Sequence, residues 1–435
     1  MSDLPPGWAS TTLSEVCSPV SKVDPRQEAD VEFTYIDIGG IDGLRIAETK
    51  RLTSSQAPSR ARQLVRAGDT VLSTVRTYLR KTALVPPELD GAVASTGFCV
   101  LRPADGVHAR YVFHRVTAHD FVSRITPLQT GSSYPAVRDR DVFAQAIELP
   151  PLNEQMRIVA AIEEHLSRLD AADASLASAL RRLDVSRSQS IEDAMRGDWP
   201  STTLGEIAEI AGGVTKDAKR QADPAFVEVP YLRVANVQRG YLDLREVTTI
   251  RVPAQKAAAL KLEPGDVLFN EGGDRDKLGR GWVWSGEIEN CIHQNHVFRA
   301  RLNGDFDPRF VSWHGNTFGR TWFERHGRQT TNLASLNLTT LKSFPVPVPP
   351  LEEQRRIVAE VEERLSRIDA MRASIERAQR RSAALRAAIL ERAFRGELVP
   401  QDPADEPAEA LLARIRAERD ASASATGRRR GVVRP

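Results

Sequence analysis

The chain has 435 residues, 41% hydrophobic and 27% charged, with 60 basic against 58 acidic side chains and a net charge of +2. This is ordinary globular composition, enough for about three or four domains, and it excludes a polybasic nucleic-acid glue: any affinity for DNA must come from local patches or from a partner. Cys17, Cys99 and Cys291 are few, odd in number and widely spaced, which points to a reducing cytoplasm. There is no run of ~18 apolar residues and no basic-then-apolar leader, so neither a membrane nor export is expected.

Residues 1–150 form a first globular block. It opens Pro6-Gly7-Trp8 with Thr11, Thr12, Leu13 and Glu15, and the opening returns as Trp199-Pro200 with Thr202, Thr203, Leu204 and Glu206. Strand-like runs at 33–38, 70–73 and 98–101 sit between glycine and proline turns, and 111–125 reads as helix. A first long helix is expected over 151–197. Its apolar stripe, Val159, Ile162, Leu166, Leu169, Asp173, Leu176, Leu180 and Leu183, steps alternately three and four, a heptad seam with one charged intruder. Residues 198–348 form a second block that shares anchors with the first, Gly68-Asp69 against Gly265-Asp266 among them, and diverges between them. A second long helix over 349–397 repeats the first at a constant offset of 199 residues, with Arg372 where the first has Asp173. Its stripe is expected to shift phase after Ile375, towards Leu385 and Ile389.

Each helix begins after a Pro-Pro pair suited to the first turn and is closed by a glycine, Gly197 or Gly396, placed as a C-terminal cap. Some 44 residues at ~1.5 Å each make rods of roughly 65 Å, each with one apolar stripe that the other can cover. Antiparallel rods with matched ends would bring Asp173 and Arg372 face to face at the midpoint. The segment after the second rod at Gly396 should then end beside the Trp8 opening. Residues 398–435 carry a proline- and acid-rich turn, a short helix near 407–420, and an arginine-containing tail from Ser422 that reads as disordered and solvated.

No catalytic signature stands out. The glycines at 272–273 and 279–281 lack the Lys-Ser/Thr ending and strand-loop-helix setting of a phosphate loop. Cys291, His293 and His296 lack a fourth ligand at a useful spacing, and Glu271, Asp274 and Asp276 read as a polar loop, so no metal site is expected. What recurs in both blocks is polar, basic loops with aromatics. The first block offers Arg76, Tyr78, Arg80 and Lys81, then Ser132, Ser133, Tyr134 and Arg138. The second offers Asn270, Gly273, Arg275, Lys277 and Arg280, then His293, Gln294, Asn295 and His296, then Arg328, Thr330, Thr331 and Asn332. Arginine and lysine suit guanine edges and phosphate, asparagine and glutamine suit adenine, and hydroxyls suit phosphate. Solvated loops use the same alphabet, so it is the repetition at equivalent places that favours DNA.

The order block–rod–block–rod resembles the specificity subunit of type I restriction-modification systems. So do Pro-Leu-x-Glu-Gln-x-Arg-Ile-Val-Ala at 151–160 and 350–359, and Ala-Phe-Arg-Gly-Glu-Leu-Val-Pro-Gln-Asp at 393–402. The resemblance implies an α+β fold with two α/β-mixed target-recognition domains separated by two long helices, which form an antiparallel coiled coil under a pseudo-two-fold internal repeat. It implies a non-catalytic, cytoplasmic DNA-specificity subunit of a phage-defence complex that reads a bipartite double-stranded target. Two methyltransferase subunits and motor-nuclease subunits would dock on it, and S-adenosylmethionine, ATP and Mg would belong to those partners, with no cofactor in this chain. The family's second-domain loop also resembles residues 268–274, with 294–296 and 330–332 downstream, whereas the first block departs from that version. The alternative from another class is a coiled-coil adaptor whose blocks bind protein or another non-DNA ligand.

Overall fold

The computed structural model describes residues 4–28, 31–217, 221, 223–273, 278–326, 328–329 and 334–431, the side chains of 273, 328–329, 334 and 422–431 excepted. It divides into two compact units, residues 1–176 with 377–435, and residues 177–376.

In the first unit a four-stranded antiparallel sheet runs in the order Cys17–Ser18, Phe98–Pro103, Thr70–Ser73, Thr82–Leu84. A second sheet runs Lys50–Thr53, Glu32–Ile36, Val93–Ser95, Ala61–Leu64, with Glu32–Ile36 parallel to Val93–Ser95. Ala9–Thr12 pairs with Ala146–Leu149, clipping the start of the block to its end. The second unit repeats this plan. Its sheet runs Ala208–Ala211, Val297–Leu302, Val267–Asn270, Gly281–Val283. Its parallel pair is Val227–Leu232 with Ile292–His293, and its clip joins Ser201–Thr203 to Pro345–Pro347. One buried ion pair is repeated as well: Arg102 on Asp69 at 2.6 Å and Arg301 on Asp266 at 2.8 Å, each aspartate nearly inaccessible at the mouth of a strand. The helix expected over 111–125 is two helices, Ala109–Thr117 and His119–Ile125, broken where Ala118 adopts an extended backbone.

The rods are Leu152–Ala194 and Leu351–Phe394. Their opening turns belong to the cores of the blocks: Ile158, Val159 and Ile162 are buried in the first, and Ile357, Val358 and Val361 in the second. Beyond them the expected seam of the first rod, Leu166 through Leu183, is half-buried throughout. In the second rod no phase shift occurs. Leu385, expected in the stripe, is 43% exposed, and the heptad runs on through half-buried Ile375, Gln379, Arg386 and Ile389 and buried Ser382.

The rods pack antiparallel, and the pairing of Asp173 with Arg372 does not form. In the first unit Asp173 accepts from Ser382 Oγ at 3.0 Å and from Arg386 at 2.8 Å. In the second unit Arg372 holds Asp184. Matched ends would set Asp173 against Arg372, but its partners lie about three to four helical turns further along. The shift has a simple cause: the first turns of each rod are spent in a block core, so the coiled coil starts later than the helix does. The repeat survives at a different place. Arg386 meets Asp170 at 2.7 Å in one unit, Arg187 meets Asp369 at 2.6 Å in the other, and the two pairs are related by the 199-residue offset. Such exposed pairs contribute only about 0–1 kcal/mol each. Their consequence is register, because a slipped rod would strand charge in the seam.

The expected closeness of Gly396 to the Trp8 opening holds within the first unit. Ala408 N–H donates to the Gly7 carbonyl at 2.9 Å, and Gly396, at φ +73°, lies so near Pro5 that an added Cβ would come within 2.4 Å of its Cγ. Gly197 is not left-handed; it closes its rod by lying flat on the Trp199 ring, 2.4 Å from a would-be Cβ. The last helix, Ala408–Gly431, puts Ala408, Leu411, Leu412 and Ile415 into the first block's core. Its backbone stays helical to Gly431, past Ser422 where disorder was expected. The side chains of the arginine run and residues 432–435 lie outside the described residues.

Candidate nucleic-acid interface

In the first unit, strands Thr70–Ser73 and Thr82–Leu84 are joined by a loop whose tip is a single 3-10 turn, Thr77–Leu79. Arg76 and Arg80, which bracket that turn, are both left-handed, at φ 49° and 51°. A side chain in that region costs of order 1–3 kcal/mol, so the surroundings must hold the loop there. A second loop does so. Arg76 N–H donates to Pro135 O at 2.9 Å, Thr77 N–H to Gln129 Oε1 at 3.2 Å, and the Thr77 and Thr126 hydroxyls meet at 2.9 Å. Thr130 and Ala136 close that second loop with reciprocal backbone bonds.

The fold thus brings together the two candidate segments of the first block. The Arg76 guanidinium sits 5.7 Å over the Tyr134 ring, and Tyr78 and Tyr134 are largely exposed. Ser132, Ser133 and Arg138 are exposed too. Arg80 is engaged with His119 Nδ1 at 2.6 Å and Lys81 with Ile38 O at 3.1 Å, so these two shape the loop as well as charging it.

The second unit places its candidates at equivalent turns, with two corrections. Asn270 is fully buried at the end of its strand, its amide donating to Val237 O at 2.8 Å and Val234 O at 3.3 Å. It braces a neighbouring loop and cannot meet a base edge. His293 is also fully buried, with Nδ1 on the Val297 carbonyl at 2.6 Å. Both lie where a strand residue points inward, which the polar alphabet alone does not reveal.

The remaining candidates fare differently. Gln294 and Asn295 are half-buried and anchored by their backbone N–H groups to Leu232 O and Val214 O. The Asn295 amide donates to His296 Nε2 at 3.3 Å, and His296 Nδ1 donates to Glu271 Oε2 at 2.5 Å, a relay that orients the asparagine. Gly272–Gly273 pairs with Ala334–Ser335, which pairs with Arg328–Gln329, so a small ribbon gathers the first and third candidate segments of this block at backbone level. Arg280 reaches Val234 O at 3.2 Å. Arg275, Lys277, Thr330, Thr331 and Asn332, and the Arg328 side chain, lie outside the described residues. Residues that sequence reasoning passed over are Thr77 and Gln129, which tie the loops together, and Leu79, exposed at the tip beside Tyr78. Leu79 was legible only as an apolar residue inside a basic loop.

Burial also sets a pH dependence. His293, and His314 with its Nε2 2.9 Å from Pro345 O, are pushed down from 6.5 to about 4 by desolvation, and His114 in the first unit goes the same way. All three are neutral in the fold and take up protons near their ordinary value once unfolded. Stability from this source is therefore complete above about pH 6.5 and declines as pH falls towards 4, by about 2 kcal/mol per histidine at pH 5. Urea unfolding of the second unit at pH 7 and pH 5 is expected to show the loss, and His293→Gln with His314→Gln should flatten it; equal midpoint shifts in variant and parent would count against it.

Comparison with known proteins bears on the fold and the family. Residues 196–383 match the family model of the type I restriction modification DNA specificity domain. The specificity subunit of type I restriction enzyme EcoDI from Escherichia coli is 36% identical over 345 residues, 69% of this chain and 75% of that protein. The StySPI specificity subunit of Salmonella potsdam is 26% identical over 96% of this chain and 97% of its own length. Among solved structures, a chain from work on complex assembly and conformational transition of the type I R-M system superposes with a TM-score of 0.79 at 28% identity, covering 91% of this chain and all of that one. The HsdS subunit from Thermoanaerobacter tengcongensis gives 0.63 at 28% identity, covering 91% and 98%. A repeated two-block scaffold on paired rods is therefore the fold of DNA-specificity proteins. The chain belongs to the family of type I restriction-modification specificity subunits. Among the described residues no helix is long and apolar enough to cross a membrane.

Proposed function

We propose that this chain reads a bipartite double-stranded DNA target, one half with each block, and serves in the cytoplasm as the non-catalytic scaffold for two methyltransferase subunits and for motor-nuclease subunits. S-adenosylmethionine, ATP and Mg belong to those partners, which carry adenine methylation by base flipping and ATP-driven cleavage. The observation that carries the proposal is the equivalence of the two candidate sites: both sit on the loop after the same strand of the same sheet, in blocks whose intervening loops have diverged. Rods of fixed register then act as a ruler for the unread spacer, as dimer geometry fixes half-site spacing in other DNA readers.

Co-expression with the methyltransferase and methylation-sensitive sequencing tests this. The expected result is one split motif, modified on both strands; a contiguous motif, or methylation without any motif, would overturn it. Within the second block, Asn295→Ala should relax a single motif position by about 1–3 kcal/mol of discrimination. Retention of full discrimination at every position would remove Asn295 from the interface.

A further inference from the structure

We propose that the tip of the first block's loop is an apolar wedge: Leu79 enters the base stack at one step of the half-site, and Tyr78 stacks on the exposed base face. This rests on the DNA reading above and goes further, because it assigns a deformation of the duplex to two side chains.

Among the described residues of 1–150 seven large apolar side chains are exposed, and four of them (Tyr78, Leu79, Leu128 and Tyr134) lie on the two loops tied together by Thr77, Thr126 and Gln129. Exposed residues of this kind are normally scattered; gathering them marks a surface that is covered when at work. The tip is also held rather than loose. Two left-handed arginines bracket a single turn, and its backbone is fastened on the far side to Pro135 and Gln129. Strain maintained against the neighbouring structure at an exposed loop is a mark of function rather than of folding.

Charge decides what covers the tip. Residues 74–81 and 126–138 contain Arg76, Arg80, Lys81 and Arg138 and not one aspartate or glutamate. Among the described residues neither Arg76 nor Arg138 has an acidic partner. A leucine flanked by a tyrosine and rimmed by unneutralised arginines and serine hydroxyls matches stacked bases between phosphate rails. Proteins that kink DNA insert side chains of this kind between base steps, and aromatic rings stack on the faces so exposed.

The experiment uses the assembled specificity–methyltransferase complex and duplexes of the methylated motif, with 2-aminopurine at each successive position of the half-site assigned to residues 1–150. Besides the target adenine that the methyltransferase flips, the wild-type complex should raise fluorescence several-fold at one further step only. Leu79→Ala should abolish that rise and weaken binding roughly tenfold, Leu79→Met should retain it, and neither should move the thermal midpoint because the side chain is exposed. A wild-type complex that binds its motif selectively yet brightens no step other than the flipped adenine would overturn the wedge and leave the DNA reading standing. A complex with no preference for the motif over random duplex would overturn the reading itself. If Leu79→Ala left the duplex signal intact but released methyltransferase from the complex, the tip would be a protein contact and the proposal would be wrong.

Discussion

Replacing residues 1–150 with the corresponding block of another specificity subunit is expected to change one half of the methylated motif and nothing else. The loops that differ between the blocks are carried on a shared sheet, and the clip between Ala9–Thr12 and Ala146–Leu149 travels whole with the exchanged segment. Each base contact is worth about 1–3 kcal/mol, so losing or gaining several shifts preference between half-sites by orders of magnitude. The graft must keep the contacts that the last helix makes with its block, Arg416 on Glu15 at 3.1 Å and Leu411 against Gly106, or carry residues 398–435 along. Methylation-sensitive sequencing gives the answer. If both half-sites change, or the spacer does, the blocks are not independent readers.

A large loss of stability is expected from a single buried glutamine at the head of each rod. Gln155 Oε1 accepts the His108 N–H at 2.9 Å while its Nε2 donates to Pro150 O at 2.9 Å. Gln354 does the same for Asp307 N–H at 2.8 Å and Pro349 O at 2.9 Å. Both side chains are fully buried. Each glutamine thus satisfies a backbone donor at the entry to a block helix and a carbonyl at the entry to its rod, and so fixes the angle between them. Gln155→Leu or Gln354→Leu fills the space but orphans a buried donor and acceptor, at about 1–3 kcal/mol apiece. Thermal unfolding of the full chain should show a marked fall for either variant. Leucine variants as stable as the parent would mean that water or a rearranged loop replaces the amide.

These glutamines show how the sequence was legible and where it was not. They stood in plain sight inside a motif repeated at constant offset, because a repeat is a one-dimensional property of the chain. So was the heptad stripe. Register was not legible, since Ile158, Val159 and Ile162 continue the same three-four spacing as the seam although they belong to a block core. Nothing local separates a stripe facing a rod from a stripe facing a sheet, and the pairing drawn between Asp173 and Arg372 failed for that reason. The same ambiguity put Leu385 in the stripe and Arg386 out of it. Among the candidate base readers, Asn270 and His293 have the right residue types, but each occupies an inward position of a buried strand. Only the pairing of those strands tells inward from outward.

The late helix that closes the first block has a consequence for how the protein is made. Leu411, Leu412 and Ile415, which complete the core of residues 1–150, are synthesised some 260 residues after that block. At roughly 5–20 residues per second the interval is on the order of 15–50 s. Throughout it the nascent block shows an apolar seat with no occupant, a ready target for chaperones. A chain cut short by a premature stop keeps that seat bare for its whole life. Proteolysis would then clear such truncated chains, so the helix that closes the block also certifies that translation has passed it.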